Sequence, residues 1–270
     1  MQGLVQHFGS CWFYSSWNGF LLSYRGRKFL REYLSYERPE NTHNLFWERT
    51  RQFLNKGPFP LNNIDEKKIL AGLNVNARCG GSNNTAFKAL SKLFGNKIAY
   101  NLNLHTNSTP LPLVVLITYN PTDNGNAGGS GNAGGSGNAG GNGNGIDEIP
   151  PTYEFKGHTY VISHCRVNIG PSQGRPGHSM TGVIAADGTE FIFDSGLKPN
   201  GQFWKFNWTK GPICDHEGDE LAYFDGYDVF YVLEDLMTLP NKPHYVRPIA
   251  GRPPIRRAAK PGAATKKNVT

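Results

Sequence analysis

From Cys11 to Tyr36 the apolar and aromatic residues return at the three-and-four spacing of a helix, among them Trp12, Phe13, Trp17, Phe20, Leu21, Phe29, Leu30, Tyr33 and Leu34. A break is expected at Arg25-Gly26-Arg27, and Ser10 or Gly9 stands where an N-cap would go, which puts Cys11 in the first turn of a buried helix. A second helical region is expected around Leu45 to Leu54. The stretch "SNNTAFKALSKLFG" predicts a third, with Asn83 or Asn84 as its cap and Gly95 as its stop.

The pattern then changes. "PLPLVVLITYN", "TYVISHCRVNI", "SMTGVIA", "TEFIFDS" and "YDVFYVLE" are rich in β-branched and aromatic residues and are bounded by Gly, Pro and Asp, the pattern of strands in an antiparallel sheet. The expected fold class is α+β, an N-terminal helical part packed on a C-terminal antiparallel sheet. Residues 1–121 form the helical part with the first strand, and 151–245 form the rest of the sheet. Between them, residues 122–150 hold a repeat of Gly, Asn, Ala and Ser with nothing to bury, which predicts a flexible linker without chemistry. Residues 246–270 mix Pro, Gly, Ala and basic residues without period and predict a disordered tail.

Charge sharpens this division. The chain of 270 residues carries a formal net charge of +7, but seven of its basic residues and no acidic one lie after Tyr245, which leaves 21 basic against 21 acidic residues before it. The folded part is neutral, and the tail is the part suited to nucleic acid or an acidic partner. Cys11, Cys79, Cys165 and Cys214 lie far apart without a CxxC pair, which points to a reducing compartment. The start lacks the charged and apolar regions of a signal peptide, and no stretch approaches the length of a membrane span. The expectation is an intracellular protein of cytoplasm or nucleus, with no membrane partner.

Chemistry enters at Cys11. The first turn of a helix favours a thiolate through its unpaired N–H groups and the positive end of its dipole. A nucleophile also needs a base, a group to orient the base and an oxyanion donor. His178 is the candidate base, because it opens a strand after a Gly/Pro loop and Asp194 ends the next strand. The pairing depends on the turn between them. A two-residue turn at Asp187-Gly188 puts Asp194 opposite Thr181 and sends His178 to the other face. A three-residue turn, Ala186-Asp187-Gly188 with Gly188 left-handed, pairs Asp194 with Met180 and brings His178 onto its face, one diagonal step away. Ser195 and Asp187 are the alternatives to Asp194, and the side-chain amide of Gln6 is the candidate oxyanion donor. Each residue alone has an ordinary structural explanation; it is the combination that points to a thiol active site.

At these residues the sequence resembles the papain-like cysteine peptidases. "GSCWF" matches the core of the papain-type nucleophile motif, with Phe8 where papains have a second cysteine, and the order Cys, His, Asp also suits that superfamily. Within it the chain is most similar to the ubiquitin-specific protease branch, a compact and divergent form of a kind that also occurs in large DNA viruses. That branch has an amide five residues before the cysteine, an aromatic after it, Ser four positions on and an amide seven on; Gln6, Trp12, Ser15 and Asn18 occupy those places. Its histidine box is similar in layout to "YVISHCRVNIGPSQGRPGHSMTGVIAADGTEFIFDS". Gln6 stands for the usual Asn, Ser179 for the usual aromatic, and the cysteine-paired zinc fingers of many members are absent. The resemblance implies a papain-like fold, hydrolysis of peptide or isopeptide bonds by Cys11, His178 and Asp194 with Gln6 as oxyanion donor, no cofactor, and ubiquitin or ubiquitin-like conjugates as partners. Three rival assignments stay open. One is a metal site at His164-Cys165 and Cys214-Asp215-His216, whose spacings fit no common zinc pattern. Another is a thiol acyltransferase or transglutaminase-like enzyme. The third is an inert papain-like module binding nucleic acid through its tail.

Overall fold

The computed structural model describes residues 3–6, 9–36, 43–59, 61–74, 83–100, 111–119, 149–170, 177–196, 201–210 and 224–238. The chain divides into two units, 1–239 and 240–270, and every described residue belongs to the first. Most of the expected linker, the basic tail, Cys79 and the Cys214-Asp215-His216 group lie outside the described residues.

Five helices lead: α1 (Cys11–Leu22), α2 (Tyr24–Tyr36), α3 (Asn44–Lys56), α4 (Asn63–Gly72) and α5 (Asn83–Phe94). All twelve residues of α1 are buried, with the polar Ser15, Ser16 and Asn18 among them each bonded to a backbone carbonyl. The break after it falls at Ser23, not at the expected Arg25-Gly26-Arg27, because the Ser23 hydroxyl donates to the Ser163 carbonyl and its backbone is extended. Gly26 lies inside α2, where a Cβ would meet the backbone of Phe20 at 2.8 Å. The short helix α4 has no amphipathic stripe, which is why the pattern of apolar positions does not predict it.

Eight strands form one sheet among the described residues: β1 (Ile98–Tyr100), β2 (Val114–Tyr119), β3 (Thr152–Phe155), β4 (His158–Ile169), β5 (His178–Ile184), β6 (Glu190–Asp194), β7 (Gln202–Lys205) and β8 (Phe224–Leu233). Their order is β1-β2-β8-β4-β5-β6-β7, with β3 also on β4. All pairs are antiparallel except β1 with β2, a parallel pair that the expected antiparallel sheet did not include. A last short helix, α6, runs over Glu234–Thr238. The architecture is mixed α and β, with helices ahead of most of the sheet. No helix among the described residues is long and apolar enough to cross a membrane.

The sheet separates two cores, as period-two alternation requires. Phe230, Val232, Val183 and Phe193 face the helices, while Val229, Tyr231, Cys165 and Trp208 lie in the other core. His164 and Cys165, neighbours on β4, therefore point to opposite sides, and no group of three metal-ligating residues occurs among those described. On the outer core Tyr231 reaches two separate segments: its hydroxyl donates to the Pro150 carbonyl at 2.8 Å and pairs with the Tyr119 hydroxyl at 3.1 Å. On the helical side Arg166 and Asp228 form a buried ion pair, to which Asn168 donates at 3.0 Å and Thr118 at 2.6 Å.

Helix α1 lies flush on the sheet at Gly19. A Cβ there would stand 1.9 Å from Cδ2 of His164, whose ring is stacked on Phe230 at 4.4 Å and edge-on to Phe20. With the ring held on both sides, Gly19→Ala must shift the helix. The expected result is a loss of about 1–3 kcal/mol, the usual cost of overpacking a core, read as a lowered urea midpoint with an unchanged slope.

Candidate active site

Four elements bring the candidate residues together. Cys11 opens α1, His178 opens β5, Asp194 ends β6, and Gln6 lies on the segment that leads into α1. The β5–β6 turn has three residues. The Ala185 N–H donates to the Thr189 carbonyl at 2.8 Å, Gly188 N–H to the Ala185 carbonyl at 3.1 Å, and Gly188 has φ +82. Thr181 consequently faces Phe193, Ile184 faces Glu190, and the same register sets Asp194 opposite Met180. This is the register in which His178 and Asp194 share a face.

His178 Nε2 and Asp194 Oδ1 are 2.9 Å apart, with the carboxyl group buried and the imidazole 29% exposed. The other oxygen contact of Asp194 is local: the Gly196 N–H donates to the same Oδ1 at 2.7 Å, closing an Asx turn over Asp194-Ser195-Gly196. With Nε2 on the carboxylate, Nδ1 is the nitrogen left for Cys11. Burial pushes the Cys11 thiol up, but the hydrogen bond and charge of His178, with the N–H groups of Ser179 and Trp12, bring it below an ordinary cysteine's value. Burial likewise opposes a charged His178, and the hydrogen bonds and charges of Asp194 and Cys11 overcome it, pushing the imidazole up to about 10. Such an arrangement can hold a thiolate beside an imidazolium near neutral pH.

Gln6 is positioned by a clamp from α1. The Asn18 side chain donates to the Leu4 carbonyl at 2.9 Å and accepts from the Leu4 N–H at 2.8 Å, while Gly3 passes against Phe193. The Gln6 amide then lies beside the His178–Asp194 pair, and its Oε1 accepts from the Ser195 hydroxyl at 3.5 Å. Ser195 thus touches Gln6 and not the imidazole. Asp187 sits exposed in the hairpin turn, where it accepts from the Thr189 N–H at 2.9 Å, so of the three candidate orienting groups Asp194 is the one on His178. On the remaining side, Thr181 donates to the Ser15 carbonyl at 3.0 Å and fixes α1 against the strand that carries His178.

Against known proteins, no family model matches the chain and no curated protein does. Among solved structures, a chain of the SAGA Ubp8/Sgf11/Sus1/Sgf73 DUB module with a Ubp8 substitution aligns over 86% of this chain and 68% of its own, at 9% identity and a TM-score of 0.45. The yeast SAGA DUBm with an Sgf73 substitution covers the same shares at 9% identity and a TM-score of 0.43. A third structure of the module aligns over 86% and 67% at 10% identity and a TM-score of 0.36. A viral origin finds no support among them. What the site can do is decided by its own residues.

Asp194-Ser195-Gly196 reads as a turn in the sequence, an Asp followed two positions later by Gly, but nothing there marks Gly196 as a neighbour of the candidate site. A Cβ there would lie 3.2 Å from His178 Cε1, 3.3 Å from Asp194 Oδ1 and 3.3 Å from Gln6 Nε2. Because Gly196 itself is exposed, Gly196→Ala is expected to leave the urea midpoint nearly unchanged while slowing alkylation of Cys11 about tenfold, a size set by small displacements in a reacting constellation.

The pH dependence has a defined sign. The raised value of His178 means that its contribution to stability is complete below the 6.5 of an unfolded histidine and fades as pH rises through about 10. The lowered value of Cys11 acts oppositely, present above the 9.0 of an unfolded thiol and lost as pH falls through the folded value. Iodoacetamide labelling of Cys11 should therefore reach its plateau at lower pH than a free thiol does. In His178→Ala, where burial acts unopposed by the imidazole, the plateau should move to higher pH; an unmoved profile would remove the thiolate–imidazolium pair.

Proposed function

We propose that the protein is a cysteine-type peptidase of papain-like fold that hydrolyses peptide or isopeptide bonds through Cys11, His178 and Asp194, with Gln6 as oxyanion donor. The observation that carries this is the placement of one imidazole between a carboxylate at 2.9 Å and a thiol held below its ordinary value. His178 takes the Sγ proton, and the thiolate attacks the carbonyl carbon. The Gln6 amide and backbone N–H groups at the start of α1 stabilise the oxyanion as the tetrahedral intermediate forms. Collapse breaks the C–N bond as His178 returns its proton to the leaving amine. Water, deprotonated by the same imidazole, then breaks the thioester and releases the acid. Asp194 holds the ring in the tautomer that presents Nδ1 to sulfur.

For substrate we propose ubiquitin or ubiquitin-like conjugates. The support is the sequence layout around the nucleophile, Gln6, Trp12, Ser15 and Asn18, and the role two of these take: Asn18 seats the segment bearing Gln6, and the Ser15 carbonyl receives Thr181.

The test is incubation with ubiquitin bearing a thiol-reactive C-terminal electrophile, read by intact mass. Wild type should form one adduct at Cys11, Cys11→Ala none, and His178→Ala should react about 100- to 10,000-fold more slowly, the usual contribution of a general base. Fast alkylation by iodoacetamide without a ubiquitin adduct would keep the thiol hydrolase and remove the substrate. Alkylation no faster than that of an exposed thiol would remove both.

A further inference from the structure

Ser10 is the residue directly before Cys11 and occupies the N-cap of α1, yet its side chain makes no cap hydrogen bond. A serine in this place ordinarily turns its oxygen back to accept from the N–H of the second or third helical residue, here Trp12 or Phe13. Its hydroxyl instead donates to Oε1 of Glu66 at 2.7 Å, and both residues are buried, at 0% and 1% exposure. The Ser10 backbone, at φ −107 and ψ 23, is also outside the extended region of an ordinary cap.

The consequence falls on specific N–H groups. The Ser10 carbonyl already takes the N–H of Phe13 at 2.9 Å and of Tyr14 at 3.0 Å, so the third helical donor is closed by backbone. What a returning hydroxyl would take is the N–H of Trp12, one of the donors that favour the Cys11 thiolate. Glu66 is held where it can prevent this. It sits in the first turn of α4, whose cap Asn62 accepts from the Asp65 N–H at 2.8 Å, and Asp65 pairs with Arg49 of α3 at 2.8 Å. The bond to Ser10 puts the Glu66 carboxyl beside the start of α1, and burial together with Glu66 pushes the hydroxyl of Tyr14, one turn into the helix, well up.

We propose that Glu66 is a positioning residue for the nucleophile: by holding the Ser10 hydroxyl away from the start of α1, it keeps the Trp12 N–H directed at Cys11 and not at a cap. The purpose of this device rests on the thiol chemistry proposed above, but its test does not need turnover.

The same hydrogen bond can be broken from either end. Ser10→Ala removes the hydroxyl, so nothing remains to cap the helix, whereas Glu66→Ala releases a hydroxyl that can. A contact that only fills the core would make the two substitutions alike. The measurement is the rate of Cys11 alkylation by iodoacetamide against pH, by intact mass, with Cys11→Ala as the blank for the other cysteines and circular dichroism as the check on folding. Glu66→Ala should raise the thiol midpoint and slow alkylation at neutral pH about three- to tenfold, in proportion to the thiolate lost. Ser10→Ala alone should keep the wild-type profile, and so should Glu66→Gln, which retains an acceptor oxygen. Ser10→Ala added to Glu66→Ala should restore the faster rate. Equal shifts in the two single variants, or a double variant as slow as Glu66→Ala, would overturn the proposal. Where Glu66→Ala does not fold, a raised midpoint in Ser10→Ala or in Glu66→Gln overturns it equally. Failure to react with ubiquitin, with this titration pattern intact, would remove the substrate assignment and leave the role of Glu66 standing.

Discussion

The fold depends on a helix with no solvent face lying close enough to a sheet for backbone to meet an aromatic ring. Gly19 supplies the missing Cβ, and His164 supplies the ring, fixed between Phe20 and Phe230. Around that approach α1 is tied at both ends. The Ser15 carbonyl receives Thr181 of β5, and Ser23 ends the helix on the carbonyl of Ser163 in β4. The distance between Cys11 and the strand carrying His178 is thus set by packing several turns away from the site. Side chains remote from the candidate site fix the geometry of those within it.

The two histidines of this sheet show how environment divides one chemistry into two roles. His164 is fully buried, bonds the Ser163 hydroxyl through Nδ1 at 3.0 Å and has no partner at Nε2 among the described residues; burial pushes it down to about 3. It behaves as an apolar ring, and its unpaired nitrogen costs about 1–3 kcal/mol. His178, on the adjacent strand, is partly exposed and has a carboxylate on one nitrogen and a thiol for the other, and it is pushed up to about 10. The sign of the shift follows the partner. A buried imidazole without an anion is structural, while one between an anion and an acidic thiol can move protons.

Much of this was legible from residues alone, for reasons that differ by element. The long apolar helix at Cys11 and the strands of β-branched residues carry strong periodic signals, and the three-residue turn at Gly188 followed from asking which register lets His178 meet Asp194. The Asx turn at Asp194 and its pairing with His178 are compatible, since one oxygen accepts both the Gly196 N–H and the imidazole. What could not be read was set by contacts remote in sequence. Helix α4 has no periodic stripe, and the pair of Ser10 with Glu66 joins residues 56 positions apart. Of the two residues read as the cap, Ser10 and Gly9, it is Ser10 that stands at the N-cap, but its hydroxyl is drawn to Glu66 and makes no cap bond. The parallel β1–β2 pair was hidden for a similar reason, as β1 contributes only three residues.

Tyr231 has a consequence beyond the core it fills. Its hydroxyl meets Tyr119, where β2 ends, and Pro150, just ahead of β3, so the residues flanking the Gly- and Asn-rich stretch are fastened to one side chain. A closure already made at its base hardly depends on the length of what it closes. Whatever the length of chain that joins Tyr119 to Ile149, its entry and exit are set in the sheet, and the strands that carry His178 and Asp194 are held in register by other bonds.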